Sequence, residues 1–515
     1  MPVFQQGSIN TTALIVPDLY VQIVPPQVSL LNGVPTNILG IVGTATWGPA
    51  NSPVTIGGMA DYARMFGPIQ TGKYDAGTAV AAAVLQGANN MRVVRVTDGT
   101  DLAASVAVKD VNGAPATGAT FTAIYTGSHG NNLNVKVEAG SQAGTFKVSI
   151  AMPGGVPEVF DNIGGAGAEL WQNMVNAINL GQSGIRGPSQ LVVATIGVGV
   201  AAPAVQSYTA TGGTDGNTTI TGSTLVGVNT VPRKGMYALR NTGASIAMLT
   251  DCDDTTTWSE QVTFGLAEGI YMVMVGPVGQ SVSAAITAKN TAGIDSYAAK
   301  VMLGDWCYFN DTVNSKVRLI SPQGYIAGRL ANLSPEQSSL NKPIYGIVGT
   351  QKTYQNQVYS SAELGQLATA GIDVITNPAP GGNYFAARIG HNSSSNPVIN
   401  GDNYTRMTNY IAYTLNAGMG RFVGRLQSTT ERLEAKGTID SFLAAMEQQG
   451  MIGAVNGGPA FQVVLDASNN PMNRVALGYQ QADVKVIYLS IVEKFIINVE
   501  GGQSVQITRQ STQAA

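Results

Sequence analysis

The sequence of 515 residues is long enough for three or four domains. Only 11% of its residues are charged, whereas a soluble domain usually carries about 25%. The net charge of −3 gives no global reason to bind nucleic acid or an anionic membrane. No apolar run of about 20 residues predicts a membrane-spanning helix, and residues 1–10 lack the pattern of a signal peptide. A surface so poor in charge favours burial in an assembly.

Residues 1–35 are predicted to form an extended arm. Two short strand-like runs, Thr12–Val16 and Tyr20–Val24, are punctuated by prolines, so no helix can pass through the segment. The segment has too few apolar residues for a core of its own. Fully extended, 30 residues would span about 100 Å, which is enough to reach a neighbouring subunit.

The stretch from Asp483 to Thr508 is predicted to contain two or three strands, because Val, Ile, Tyr and Phe dominate it. A strand at a chain end keeps unpaired N–H and C=O groups unless another strand lies beside it. Two alternatives stay open: the strand folds onto its own domain, or it is exchanged with a neighbouring copy. In the second case, the residues of the two arms that pair with other subunits are Leu14, Val16, Tyr20, Ile23, Val484, Val486, Tyr488, Phe495, Ile497, Val505 and Ile507.

Residues 36–100 and 213–385 are predicted to form one α/β core with a mostly parallel sheet. Apolar runs such as Ile270–Val275 follow helical segments that end at glycines, and Ser360 and Glu363 have the spacing of a capping box. Apolar strands between amphipathic helices imply a sheet that is covered on both faces.

Two further domains are predicted from changes in composition. Residues 101–212 contain short alternating runs separated by Gly and Asn, which indicates a β-sandwich-like insertion at the outer surface. Residues 386–515 are predicted to form a compact α+β domain that ends in a terminal strand arm from about residue 484. Asp402 is placed to cap the first helix of this domain.

Residues that would support catalysis do not converge in the sequence. His129 and His391 stand in predicted turns, and neither a GxSxG nucleophile elbow nor a GxxxxGK[ST] phosphate loop occurs. Asp251, Asp253 and Asp254 could bind a hard cation, but acids just before a helix also interact favourably with its dipole. We favour the helix interpretation, and we predict no catalytic residue, no cofactor and no metal site.

Four basic residues, Arg421, Arg425, Arg432 and Lys436, lie within sixteen residues of each other. The simplest interpretation of this basic cluster is a solvated helix face. The functional alternative is a surface that meets an acidic partner.

Several segments resemble the sheath proteins of contractile phage tails, and the likeness covers nearly the whole chain. Each motif is weak alone, but their order and spacing are fairly specific. The motifs are Pro17–Ile23, Gly40–Gly43 through Pro49, Ala60–Gly67, Tyr125–Asn132, Gly212–Gly216, Gly304–Trp306, Ser321–Gly328 and Asn341–Pro343.

The resemblance implies a fold: a subtilisin-like α/β core without protease activity, an insertion that faces outward and a C-terminal domain that faces the tail tube. Arg421, Arg425, Arg432 and Lys436 are then the candidate tube-facing residues. No family tube-contact motif aligns with this segment, so the tube contact is assigned to the domain as a whole.

The resemblance also implies an assembly. Such proteins form hexameric rings that stack helically around the tube, exchange strands through their arms, and meet baseplate and tail terminator proteins at the ends. Contraction by rigid-body rearrangement drives the tube through the host envelope, and Gly33, Pro35, Gly501 and Gly502 are the candidate hinges.

The expected location is the virion, after synthesis in the host cytoplasm, with no direct contact to nucleic acid and no membrane insertion. The alternatives are the sheath of a tailocin or injection particle and, less favoured, a subtilisin-like hydrolase.

Overall fold

The computed structural model describes residues 3–6, 20–23 and 31–497. The strands are, in chain order, β1 (Val3–Gln6), β2 (Tyr20–Ile23), β3 (Leu39–Gly43), β4 (Pro53–Ile56), β5 (Met91–Arg95), β6 (Ala103–Lys109), β7 (Thr117–Thr126), β8 (Asn134–Ala139), β9 (Phe146–Ala151), β10 (Glu158–Ile163), β11 (Val192–Ile196), β12 (Ser207–Thr209), β13 (Ile246–Leu249), β14 (Tyr271–Val275), β15 (Ala299–Met302), β16 (Cys307–Asp311), β17 (Lys316–Ile320), β18 (Ile347–Thr350), β19 (Ile372–Asp373), β20 (Ile375–Thr376), β21 (Ala386–Ala387), β22 (Phe461–Val464) and β23 (Asp483–Val486). The helices are α1 (Met59–Phe66), α2 (Ala76–Val84), α3 (Ala168–Leu180), α4 (Gly222–Val226), α5 (Trp258–Glu268), α6 (Val282–Thr291), α7 (Gln323–Asn332), α8 (Gln351–Tyr354), α9 (Ser361–Ala370), α10 (Asp402–Met419), α11 (Thr429–Gln448) and α12 (Met472–Val475).

The centre of the molecule is a seven-stranded sheet with the order β19-β15-β14-β13-β3-β5-β4. All neighbouring pairs are parallel except the edge pair of β4 and β5. Helices α1, α2 and α7 pack on one face, and α4, α5, α6 and α9 pack on the other. Because both faces are covered, a strand such as β14 carries no charged residue and is buried at every position.

The segment between β5 and β13 folds around a separate hydrophobic core. Strands β10-β9-β8-β12 form one antiparallel sheet, and β11-β7-β6 form another. Helix α3 packs between them with Trp171 and Ile178, and Phe121 and Val148 contribute from the two sheets. The alternation of buried and exposed residues along β6 is the pattern of a strand with one face in a core.

The C-terminal part combines α10 and α11 with an antiparallel pair formed by β22 and β23. Met407 and Ile411 of α10 pack against Ile439 and Phe442 of α11, and the β22–β23 pair covers this core. The two helices present their apolar residues at helical spacing, as the sequence predicts.

The structure corrects the prediction for the start of the C-terminal arm. Val484 and Val486 lie in β23, which pairs with β22 of the same chain, and Tyr488 packs against the core of α10 and α11. These three residues therefore belong to the chain's own domain. Residues 487–497 form no strand in the structure, so the predicted run of two or three strands reduces to one in the described part.

Helices α2 and α7 cross at very short range because glycines of α7 face alanines of α2. A Cβ atom on Gly328 would lie 2.5 Å from Ala83 Cα, and one on Gly324 would lie 2.9 Å from Ala82 Cβ. Contacts this short allow the two helices to approach without intervening side chains, so the glycines are needed for packing.

We expect Gly328→Ala to destabilise the protein by about 1–3 kcal/mol through overpacking, although the same change usually stabilises a helix by about 0.5–1 kcal/mol. Gly365→Ala is the matched control, because Gly365 lies inside α9 with open space at its Cβ position. Chemical denaturation of both variants should give free energies of unfolding that change in opposite directions. Equal changes would contradict the packing role.

Candidate functional site

The crevice where a parallel α/β sheet usually binds a ligand is filled by the chain's own side chains. Connections run in opposite directions from β3 and β13, and the carboxyl ends of such strands form the usual ligand site. Asp75 and Asp251 occupy this place and are almost fully buried. The Asp251 carboxylate accepts a hydrogen bond from Ser321 N at 3.0 Å. At the rim, Lys73 Nζ and Asp253 Oδ1 form an ion pair at 2.7 Å.

Asp75 begins helix α2 as its N-cap. Its Oδ2 atom accepts hydrogen bonds from Thr78 N at 2.8 Å, Thr78 Oγ1 at 2.7 Å and Gln70 N at 3.2 Å. Its Oδ1 atom has no partner among the described residues. Burial outweighs these bonds and raises the pKa of Asp75 to about 6.

This pKa predicts a pH dependence of stability. Because the folded pKa lies above the ordinary value of 3.8 for an aspartate, stability from this group is lost as pH rises from 4 to 6, by about 3 kcal/mol. Asp75→Asn should remove that component, since an amide does not ionise. The difference in unfolding free energy between wild type and variant should therefore change by about this amount between pH 4 and pH 7. A constant difference would contradict the assignment.

A second group of charges is buried between the core sheet and helix α10. Lys300 Nζ on β15 lies 2.6 Å from Asp373 Oδ2 and 3.1 Å from Asp402 Oδ1, and all three side chains are fully buried. Tyr271 Oη donates to Asp402 at 2.5 Å, and Ser339 Oγ donates to the same carboxylate. We call these five residues the ionic cluster.

The ionic cluster joins parts that are far apart in the chain. Asp373 accepts backbone hydrogen bonds from Val374, Ile389 and Gly390 at 2.7–2.9 Å, and Asp402 is the first residue of α10. Burial acts to lower the pKa of Lys300, but the two carboxylates outweigh it and raise that pKa. Burial acts to raise the pKa of Asp373, but Lys300 and the backbone donors bring it below its usual value. These shifts favour the charged forms of Lys300 and Asp373, and the hydrogen bonds and ion pairs to Asp402 fix the start of α10 to the sheet.

The expectation that Asp402 caps its helix is wrong. The N-cap is Gly401, and Asp402 turns its carboxylate into the ionic cluster.

We expect Lys300→Met to destabilise the protein by about 3–5 kcal/mol, because it leaves two buried carboxylates without their cation. Lys352→Met is the control, since Lys352 pairs with Glu363 at 2.6 Å with both side chains partly exposed. Its loss should cost less than about 1 kcal/mol. Urea denaturation measures both values, and a similar small cost for the two variants would refute the role of the cluster.

Helix α10 also holds the segment that leads from the N-terminal arm into the core. Leu31 packs at Gly418, where an added Cβ would lie 2.1 Å from Leu31 Cδ2, and Val34 N donates to Thr414 Oγ1 at 3.2 Å. A Cβ on Gly33 would lie 1.9 Å from Tyr410 Oη. A side chain at Gly33 would therefore displace the Tyr410 ring. The hinge role of Gly33 stays a prediction, as does that of the exposed Pro35.

The C-terminal segment leaves the same domain with its apolar side chains exposed. Tyr488 Oη and Thr408 Oγ1 of α10 lie 3.1 Å apart, and Glu493 Oε1 lies 2.8 Å from His391 Nε2. Beyond these contacts, the predicted arm residues Phe495 and Ile497 are 81% and 70% exposed. Together with the neighbouring Val492 and Ile496, they form a run of exposed apolar side chains at the end of the described residues.

The N-terminal arm is described in two short pieces. Tyr20 and Ile23 lie in β2, whose backbone pairs in parallel with β1. The other predicted arm and hinge residues, Leu14, Val16, Val505, Ile507, Gly501 and Gly502, lie outside the described residues.

The structure brings Arg421 and Arg425 of the basic cluster together around the ring of Phe422. The two guanidinium carbons lie 5.0 and 5.1 Å from the ring centroid. Arg425 Nη1 also pairs with Glu434 Oε2 at 3.1 Å, and Arg421 Nη2 donates to Thr438 Oγ1 at 3.0 Å.

The other two basic residues lie on α11. Arg432 donates to Gln427 Oε1 at 3.3 Å, and Lys436 is half-buried. In the loop between the two helices, Val423 and Leu426 are 85% and 90% exposed. The surface here is therefore mixed basic and apolar, with part of its charge already paired within the domain.

The three aspartates that the sequence offered as a cation site have other partners. Asp254 accepts from Thr256 N at 3.0 Å at the start of a short 3₁₀ turn, in addition to the Asp251 and Asp253 contacts given above. In residues 3–6, 20–23 and 31–497, no group of three or more His, Cys, Asp or Glu side chains is arranged to hold a metal ion. No helix in the same ranges is long and apolar enough to span a bilayer.

Comparison with solved structures identifies the class of fold. The chain is similar to a sheath tail protein from Desulfitobacterium hafniense, with 14% identity, a TM-score of 0.57, and coverage of 91% of this chain and 100% of the other. It is also similar to a sheath tail protein from Listeria innocua, with 13% identity, a TM-score of 0.60, and coverage of 90% and 96%. The sheath of an extracellular contractile injection system (PVC), solved in the contracted state, aligns with 11% identity, a TM-score of 0.54, and coverage of 96% and 99%.

The fold is therefore that of a tail sheath protein. More particularly, residues 36–96 match the family model of the tail sheath protein Gp18, domain III N-terminal region. The resemblance to contractile tail sheath proteins is confirmed, and so is a mixed α/β fold with several sheets. The matched proteins are structural sheath proteins rather than enzymes, in agreement with the prediction that this chain is not an enzyme. A search of curated protein sequences found no match.

Proposed function

We propose that this chain is the structural subunit of a contractile tail sheath, which polymerises as stacked hexameric rings around a tail tube. The observation that carries the proposal is the end-to-end likeness to sheath proteins, which extends over 90% or more of this chain in three solved structures.

Strand exchange is the proposed mode of assembly. Both β1–β2 and β22–β23 are two-stranded, and the described residues add no third strand to either pair. Two-stranded pairs are marginally stable in water, and their outer edges carry unpaired N–H and C=O groups. Terminal segments of neighbouring subunits complete these sheets, and each added main-chain hydrogen bond contributes about 1 kcal/mol.

The C-terminal donor is the segment from Val492 onward. Val492 and Ile496 are 73% and 81% exposed, in addition to Phe495 and Ile497. A strand that carries these side chains gains hydrophobic burial as well as hydrogen bonds when it is added to a neighbouring sheet. Val484, Val486 and Tyr488 form part of the acceptor domain instead.

The remaining parts take the following roles. The subtilisin-like core of residues 36–100 and 213–385 forms the body of each ring. The insertion of residues 101–212 faces outward. The C-terminal domain of residues 386–515 faces the tube, and Arg421, Arg425, Arg432 and Lys436 meet it together with the apolar loop between α10 and α11. Head-to-tail contacts that do not close generate a helix, and rigid-body rotation of the subunits contracts it.

The second candidate is the sheath of a tailocin or injection particle, which uses the same architecture. The likeness to the PVC sheath and to the helical sheath of the anti-feeding prophage supports it. In either case the partners are further copies of the chain, a tube protein, and baseplate and terminator proteins. The sheath would be part of the particle or virion after synthesis in the producing cell, and it penetrates the target envelope by driving the tube.

We expect deletion of residues 492–515 to leave soluble single subunits under conditions where the intact chain forms tubes. The deletion starts after β23 and Tyr488, so the C-terminal core stays complete. Negative-stain electron microscopy and sedimentation velocity measure assembly, and thermal unfolding verifies the fold. Tubes that form normally without these residues would contradict strand exchange by this arm.

A substitution set provides the matched control. Val492→Ser, Phe495→Ser and Ile497→Ser together should reduce assembly at least tenfold. The same three-residue change at Val156, Leu180 and Ile185, which are 89%, 74% and 78% exposed in the insertion, should not.

A further inference from the structure

The C-terminal segment lies across the surface of its own chain. Residues 489–497 form no helix or strand. They pass beside residues 336–342 and 388–404, and the segment and these residues together line two cavities of about 160 and 610 Å³. A close-packed contact leaves few such spaces, so the segment covers this surface without filling it.

One hydrogen bond holds the segment in this position. Glu493 Oε1 lies 2.8 Å from His391 Nε2, and within the described part of the chain residues 489–497 make no other hydrogen bond. The chain just before the segment is fixed more firmly, because Ile487 N donates to Ala460 O at 2.8 Å. The main-chain N–H and C=O groups of residues 489–497 are therefore available to another strand.

His391 is the fixed partner of this pair. Its side chain is 13% exposed, whereas that of Glu493 is 41% exposed. The His391 carbonyl oxygen accepts a hydrogen bond from Lys300 Nζ at 3.0 Å, which attaches the residue to the ionic cluster. Its Nδ1 atom lies 3.4 Å from Asn400 Nδ2. Because the imidazole is held by the core and the carboxylate belongs to an irregular segment, separation of the pair moves the segment and leaves the core in place.

We propose that the pair of His391 and Glu493 is a latch, which holds the C-terminal donor segment on its own subunit and opens when the segment is donated. The donor begins at Val492, so a strand that joins the sheet of another subunit takes Glu493 away from its own His391. The latch is an intramolecular contact that competes with donation and lowers the fraction of subunits ready to donate. The inference rests on the proposed function, because it concerns the regulation of strand exchange by this arm.

The strength of the latch suits a contact that opens. A partly exposed ion pair shifts an equilibrium by no more than about fivefold. Strand addition gains several main-chain hydrogen bonds and the burial of Phe495 and Ile497, which together outweigh a single pair. The latch therefore delays donation without preventing it. As an intramolecular contact it competes best at low subunit concentration, where premature exposure of an apolar strand would favour aggregation.

The first test measures the latch in free subunits, without assembly. Trypsin cleaves after Lys494, which is exposed, and the rate of cleavage follows the population in which the segment has left the surface. His391→Ala should raise this rate about threefold to fivefold. His391→Lys keeps a cation opposite Glu493 and should cleave at the wild-type rate. Thermal unfolding verifies that each variant is folded, and equal cleavage rates for all three chains would overturn the latch.

The second test measures assembly of the full-length chain by light scattering and electron microscopy. Glu493→Ala and His391→Ala should each shorten the lag before tubes form about threefold to fivefold. The double variant should shorten it no further, because both changes remove the same contact. Lys494→Ala is the matched control, since it removes a charge from the adjacent exposed position and should leave the lag unchanged.

The outcomes separate this inference from the proposed function. A longer lag for both single variants would mean that the pair aims the arm at its acceptor, and it would overturn the latch. If the wild-type chain forms no tubes under any condition, the proposed function fails, and the cleavage test alone decides whether the segment is latched. If the wild type forms tubes and the variants follow the same time course, only the latch is wrong.

Discussion

The ion pairs of Lys300 with Asp373 and Asp402 are the interaction on which the rest of the structure depends. A buried ammonium between two carboxylates tolerates little displacement, since separation would leave charges in a medium of low polarity. Asp402 opens α10, and α10 in turn contacts the segment behind the N-terminal arm through Tyr410, Thr414 and Gly418. The same helix touches Tyr488 through Thr408. Residues 31–34 and Tyr488 therefore contact the same helix, which the ionic cluster fixes to the core sheet.

In the proposed sheath, the core sheet with α10 and the terminal segments have different roles. The seven-stranded sheet and α10 are joined by the buried contacts of the ionic cluster. In the proposed sheath, the segments proposed for strand exchange would connect the subunits, with about 1 kcal/mol for each main-chain hydrogen bond. A rotation of the bodies then changes the path of the arms without breaking the domains. The energy for contraction would then be stored in the contacts between subunits. The place where such a sheet usually binds a ligand is taken by Asp75, Asp251 and their hydrogen-bond partners.

Local patterns in the sequence were sufficient for most of the core and insufficient for the ends. Ser360 and Glu363 form the predicted capping box, and Gly371 ends the helix with a φ of 63°, because both features depend on neighbours within a few residues. The sequence also predicts the strand at Val484, but it does not identify β22 as the strand that pairs with it. Whether a strand pairs with β22 or with another chain depends on contacts that sequence periodicity does not encode.

The ionic cluster shows the same limit for the site. Lys300 stands in an otherwise apolar strand, which is a signal that a partner must exist. Its partners lie 73 and 102 positions further along the chain, and nothing in the spacing connects them. Asp402 was assigned to helix capping because an acid at a helix start has a sufficient local explanation. In the folded protein, the same carboxylate pairs with Lys300 and accepts a hydrogen bond from Tyr271. These interactions orient the side chain towards the ionic cluster.

The low charge of the chain has a physical meaning once these positions are known. Several of its few charged side chains are used inside the protein: the ionic cluster takes three, and the buried Arg95 on β5 donates to Gly48 O, Thr126 O and Asp215 O, which ties the core to the insertion. Because these charged side chains are buried, the surface carries a smaller share of charged residues than the 11% of the whole sequence suggests. Such an exterior is unfavourable for an isolated particle in water. It suits the proposed sheath subunit, because surface that is covered in an assembly needs no charge to stay in solution, and an uncharged surface is covered without the desolvation of ions.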